Sequence, residues 1–109
     1  MRTPTIADLR HRLLLEQPLA TPDGAGGANV TWSTVTEVWA AVVPLTADEV
    51  AEADGRAGTV RYRIVVRTGP AITPAQRFRL GARSFPIRGV RPLGSPVTHL
   101  VCDCDERDL

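Results

Sequence analysis

The chain has no lysine, and all thirteen of its basic residues are arginine. That absence carries no functional weight. Twelve acidic residues bring the net charge to +1, so the average charge names no partner. Aromatic residues are scarce at 5%, and they do not alternate with the arginines. A base-stacking platform for single-stranded nucleic acid is therefore not expected. Only two cysteines occur, Cys102 and Cys104 in "LVCDCDE". A disulfide across one intervening residue would be strained. A metal site would need two more soft ligands, and only His11 and His99 are at hand. Two buried thiols at a strand end, with no metal and no cofactor, are the expectation. No apolar run approaches the roughly 20 residues of a membrane span. The opening "MRTPTIADLRHRLLLEQ" is broken by charge and has no signal-peptide core. The chain is expected in the cytoplasm when made.

What is present is more telling. The 109 residues are expected to form one domain, 1–109, and 43% of them are hydrophobic, enough for one modest core. The charges are segregated. Acids collect at 47–54 and 103–108, and arginines at 2–12, 56–67 and 77–91. Such a distribution fits charged partner surfaces or self-complementary packing better than binding of free nucleic acid.

Turn signals divide the chain into about six strands. "HRLLLEQ" (11–17) reads as the first, and "PLATPDGAGGANVTW" (18–32) as a turn or hairpin loop. "VTWSTVTEVWAAVVPL" (30–45) is rich in β-branched and aromatic residues and reads as the second strand, with a bulge near Ser33. A bulge there would bring Trp32 and Trp39 to one face. "TVRYRIVVRTG" (59–69) alternates most clearly, with Tyr62, Ile64 and Val66 on one face. "RFRLG" (77–81) points Phe78 and Leu80 inward, and "ARSFPIRGV" (82–90) does the same with Phe85 and Ile87. "VTHLVCDCDE" (97–106) is the last strand, and the tail "RDL" is expected to fray. The spacing predicts a small antiparallel barrel or sandwich. Its expected core is Trp39, Tyr62, Ile64, Phe78, Phe85 and Ile87, with Trp39 as a core or interface anchor.

An acidic insertion, 45–58, separates the second strand from the third. "TADE" at 46–49 has the form of a capping box, so a short helix can follow; the alternative is a mobile loop. No catalytic constellation accompanies it. Ser33, Ser84 and Ser95 lack a nucleophile-elbow context. "GAGGA" follows a turn with no helix after it, and no phosphate-binding loop occurs. An enzyme is not expected.

The order of these features resembles one family. "LRHRLLLEQP" is followed by "DGAGG", a tryptophan, "EVWAAVVPL" and an acidic stretch. "RYRIVVRTG", "RFRLGARSFPIRGV" and "LVCDCDE" complete the series, so the likeness spans roughly residues 9 to 104. It is similar to the head–tail joining proteins of tailed bacteriophages, also called head-closure, head-completion or stopper proteins, and to their homologues in gene transfer agents. The resemblance implies a small β-barrel with a long loop between its second and third strands. It also implies a ring of six or twelve copies between the portal–adaptor complex and the tail terminator or tube. In some members that loop closes the channel over packaged DNA.

On this reading Asp48, Glu49, Glu52 and Asp54 form a channel-gating loop. With Arg56 the loop carries about −3, and a ring multiplies it. Such a constriction repels a duplex bearing one phosphate per ~1.7 Å, so retention would be steric, with repulsion screened over ~10 Å. Arg61, Arg63, Arg67, Arg77 and Arg79 would contact neighbouring subunits or rings. Two alternatives come from other classes: a tail-completion or terminator ring, and a free-standing nucleic-acid-binding barrel.

Overall fold

In the computed structural model, which describes residues 8–45 and 62–108, seven strands carry the chain: β1 (His11–Pro22), β2 (Ala28–Pro44), β3 (Tyr62–Arg67), β4 (Arg77–Leu80), β5 (Arg83–Leu93), β6 (His99–Cys104) and β7 (Arg107–Asp108). All pairings are antiparallel. The order is β4-β1-β2-β3-β6-β5, and a β4–β5 pairing closes the circuit into a small barrel. Closure leaves no open sheet edge around the core. β7 is the short extra strand. Arg107 and Asp108, expected to fray, pair with Ser84 and Arg83, and the Ser84 hydroxyl donates to the Arg107 carbonyl at 3.0 Å.

Alternation decides what fills the barrel. Leu13, Leu15, Ala40, Ile64, Val66, Phe78, Phe85, Ile87, Cys102 and Cys104 form one buried cluster. Phe78 and Phe85 are cross-strand partners, and Tyr62 meets Phe85 edge-on with ring centroids 5.3 Å apart. Tyr62 itself is only half-buried, at the rim of this cluster. A second, smaller cluster lies on the outside. There Leu9 covers Ala41, Val65 and Val101, which sit side by side on β2, β3 and β6.

Trp39 does not join either cluster. It was expected as a core or interface anchor, and at 54% exposure it is not part of the core. The register explains this: Val38, Ala40 and Val42 face the barrel interior, so Trp39 takes the outer face between them. The interior beside the two phenylalanines accepts an alanine at position 40, and an indole would not fit a packed core.

The first hairpin is longer than the sequence signals imply. β1 continues through Pro18 to Pro22, β2 starts at Ala28, and only residues 23–27 form the turn. Prolines usually interrupt a strand. Here both lie where β1 is paired on one side only, since β4 reaches no further than Glu16. The bulge falls at Val35, two residues from the expected Ser33: Leu15 pairs with Thr36 and Glu16 with Thr34. Trp39 and Trp32 then oppose Arg12 and Pro18, six apart on β1, so both indoles share the outer face. Beyond the barrel the hairpin is a two-stranded ribbon, and residues 17–35 are exposed throughout. It stretches the molecule to 49 × 30 × 25 Å.

Candidate functional site

The outer surface carries the arginines, and most are held within the chain. Glu16 is the centre of one group. Its carboxylate accepts from Arg77 Nε at 2.8 Å and from Arg79 at 3.5 Å, and the residue is only 3% exposed. Arg77 in turn lies over Trp32, 4.1 Å from the ring centroid. A carboxylate, a guanidinium and an indole are thus stacked where β4, β1 and β2 run together. Such charge-assisted bonds and stacking suit arginine's planar fork.

Asp103 is the centre of another. It pairs with Arg63 on β3 at 3.4 Å and with Arg91 on β5 at 3.2 Å. Arg88 pairs with Asp105 at 3.2 Å, and Arg83 with Glu106. Arg83 also reaches the Tyr62 hydroxyl at 3.4 Å. The Tyr62 pKa is raised, first by its hydrogen bond to Glu106 and then by burial. The acids of 103–106 thus neutralise arginines of the neighbouring strands.

The residues expected to contact partners therefore separate. Arg63, Arg77 and Arg79 are engaged inside the chain. Arg67 is exposed at the end of β3 and has no ionic partner among the described residues. Arg61 and the four acids Asp48, Glu49, Glu52 and Asp54 lie outside the described residues. Their point of attachment is described: Pro44 and Tyr62 are register partners, so 45–61 leaves and returns at one end of the β2–β3 pair.

Where β2 parts from β3, an open cleft of about 590 Å³ forms, lined mainly by apolar atoms. Leu9, Val38, Trp39 and Pro70 supply its apolar walls, and Glu37, Arg67 and Thr68 stand among them. Arg12 flanks Trp39 at 5.4 Å from the ring centroid and pairs with Glu37 at 3.4 Å. Val38 and Trp39 belong to opposite faces of β2. The cleft therefore opens at the barrel's rim and does not penetrate its core.

Nothing in these groupings prepares a reaction. The Cys102 thiol is pushed up to about 12 by burial, and Cys104 is raised further for the same reason. Both are buried free cysteines, protonated and poorly nucleophilic. His99 is buried beside the Thr98 hydroxyl at 2.8 Å, and His11 is exposed at the start of β1. No group of three or more His, Cys, Asp or Glu able to hold a metal ion occurs among the described residues. The arrangement is that of a rigid, charge-patterned body with an apolar cleft and a projecting arm.

The family model for phage head completion proteins matches residues 4–107. A chain of the virion of a native gene transfer agent particle is similar at 33% identity with a TM-score of 0.70, over 93% of this chain and 96% of that one. The solution structure of protein SF1141 from Shigella flexneri 2a is similar at 26% identity with a TM-score of 0.71, over 94% and 96% of the two chains. No curated protein matches. A match over nearly the whole length makes this chain a member of the phage head completion protein family.

Proposed function

We propose that the protein is a head-closure, or stopper, component of a phage or phage-like particle. In this reading, copies form a ring between the portal–adaptor complex and the tail terminator or tube, and the ring retains packaged DNA until ejection. One observation carries it: the likeness to a chain of a gene transfer agent virion extends over 93% of this chain and 96% of that one. Membership of the phage head completion family supports a structural role in the particle. The Pro44–Tyr62 register supports the gating role, because it roots both ends of the acidic insertion at one end of the β2–β3 pair.

The test removes residues 47–57 and bridges the gap with a Gly-Ser turn. The barrel is expected to fold, since Val50 is the one bulky apolar residue of that range. Particles carrying the deletion are expected to assemble a neck and to lose packaged DNA to added nuclease. Full protection by the deletion particles would refute the gate.

A further inference from the structure

The exposed ribbon has two unlike faces. On the outer face three successive cross-strand pairs are wholly apolar: Pro18 with Trp32, Ala20 with Val30, and Pro22 with Ala28. On the other, Gln17 opposes Ser33, Leu19 opposes Thr31, and Thr21 opposes Asn29. Arg77 already covers Trp32. The two rungs nearest the tip have no such cover, and Val30 is 57% exposed. An isolated two-stranded ribbon is marginal in water, and an apolar face on it calls for a surface to lie against.

The same chain carries an unfilled apolar surface elsewhere, the cleft of Leu9, Val38, Trp39 and Pro70. The two cannot meet within one copy. Val30 and Trp39 belong to one strand, nine residues apart, or roughly 30 Å at 3.3 Å per residue. Of the two charged residues lining the cleft, Glu37 is paired with Arg12 at 3.4 Å, which leaves Arg67 to meet an acid. Asp23 stands at the ribbon tip, its Oδ1 accepting from the amides of Ala25 at 2.8 Å and Gly27 at 3.1 Å. It has no cationic partner among the described residues. Arg67, beside the cleft, has no anionic one among them either. Pro18 and Pro22 offer no N–H on β1, which disfavours edge-to-edge pairing there and leaves the face as the contact.

We infer that the ribbon of one copy seats its Ala20–Val30 and Pro22–Ala28 rungs in the cleft of a second copy, with Asp23 opposite that copy's Arg67. Patch and cleft are different surfaces, so the contact is head-to-tail and repeats from copy to copy; it closes into a ring when the rotation allows. This rests on the ring of the proposed function and names the surfaces that would build it.

The experiment uses the full chain at high concentration. Sedimentation reports whether copies associate at all. Val30→Cys and Pro70→Cys are then combined in one chain and oxidised mildly. The native thiols are buried and stay silent. A ladder of covalent multimers is expected from the double variant, and at most dimers from either single one. Asp23→Asn keeps the turn's acceptor, and Arg67→Gln keeps much of the stem's length. Each is expected to weaken association roughly 3- to 10-fold, the pair together no more than either alone. If the wild type associates while the ladder is missing and the two substitutions add, this contact is refuted and the ring stands on other surfaces. If the wild type does not associate at any concentration, the contact is refuted, and the ring loses its support in self-association.

Discussion

The guanidinium of Arg77 lies 4.1 Å from the centroid of the Trp32 ring. Its Nε donates at 2.8 Å to Glu16, so one side chain fastens the root of the ribbon to the barrel from above and below. Pairing between β1 and β4 ends at Glu16, where the ribbon begins its unsupported run. The stack is therefore a buttress. Its place at the last rung of the barrel gives a long hairpin a fixed direction.

Removing the centre of that buttress is expected to cost stability. In Glu16→Ala, Arg77 and Arg79 lose their common acceptor while Arg77 remains largely covered, with a side chain 14% exposed. Loss of a charge-assisted bond to a buried carboxylate is expected to lower unfolding free energy by ~1.5–3 kcal/mol. Glu16→Gln, which keeps one acceptor, is expected to cost less. Chemical denaturation of both variants checks the order as well as the size.

Trp39 offers the opposite case. Buried, its truncation would cost ~3–5 kcal/mol. At 54% exposure with one flanking arginine, Trp39→Ala is expected to cost below ~1.5 kcal/mol, cation–π contact included. Phe85→Ala, at 0% exposure, is the control and is expected to reach ~3–5 kcal/mol. If the inferred contact holds, Trp39→Ala still weakens association, so stability and self-association are expected to part company at this one residue.

These two residues also show what the sequence could carry. Ile64, Phe78, Phe85 and Ile87 were legible as core because their strands alternate with arginines or other polar residues, and a period of two then names the inner face. In "EVWAAVVP" both faces are apolar. Alternation there has two solutions, and size favoured the wrong one for Trp39. The ribbon was hidden by Pro18 and Pro22, which are loop signals everywhere except on a strand with an open side. Glu16 was missed because its partners Arg77 and Arg79 lie some sixty residues away. The one available signal was that "RFR" puts two arginines on one strand face. The acids 48–54, whose charge was plain from composition, lie outside the described residues, so their role rests on experiment.

The thiols predict a pH dependence with a definite sign. Burial raises Cys102 from 9.0 to about 12, and Cys104 moves in the same direction. Below pH 9 both states are protonated and the thiols contribute no slope. Above it the unfolded chain ionises while the folded one does not, so the folded state binds more protons and stability falls. For Cys102 the fall is expected to run from about pH 9 to about 12. Cys102→Ala and Cys104→Ala are expected to flatten part of it. A thiol reagent at pH 8 is expected to react slowly with the native protein and rapidly in denaturant.

The last prediction separates bulk from charge in the proposed gate. Replacing Asp48, Glu49, Glu52 and Asp54 by Asn or Gln leaves the insertion's length and volume nearly unchanged. It removes the four negative charges from each copy. If closure is steric, neutral particles are expected to protect full-length DNA against nuclease as well as wild type does. They are expected to release it more slowly, because phosphates then pass a wall that no longer repels them. Release from the neutral particles is expected to change little at raised salt, whereas wild-type release, helped by repulsion, is expected to slow toward it as screening shortens the range below ~10 Å. Loss of protection on neutralisation alone would assign retention to repulsion. Equal release by the two particles at low salt would remove charge from the mechanism and leave the acidic stretch to contacts with a neighbouring ring.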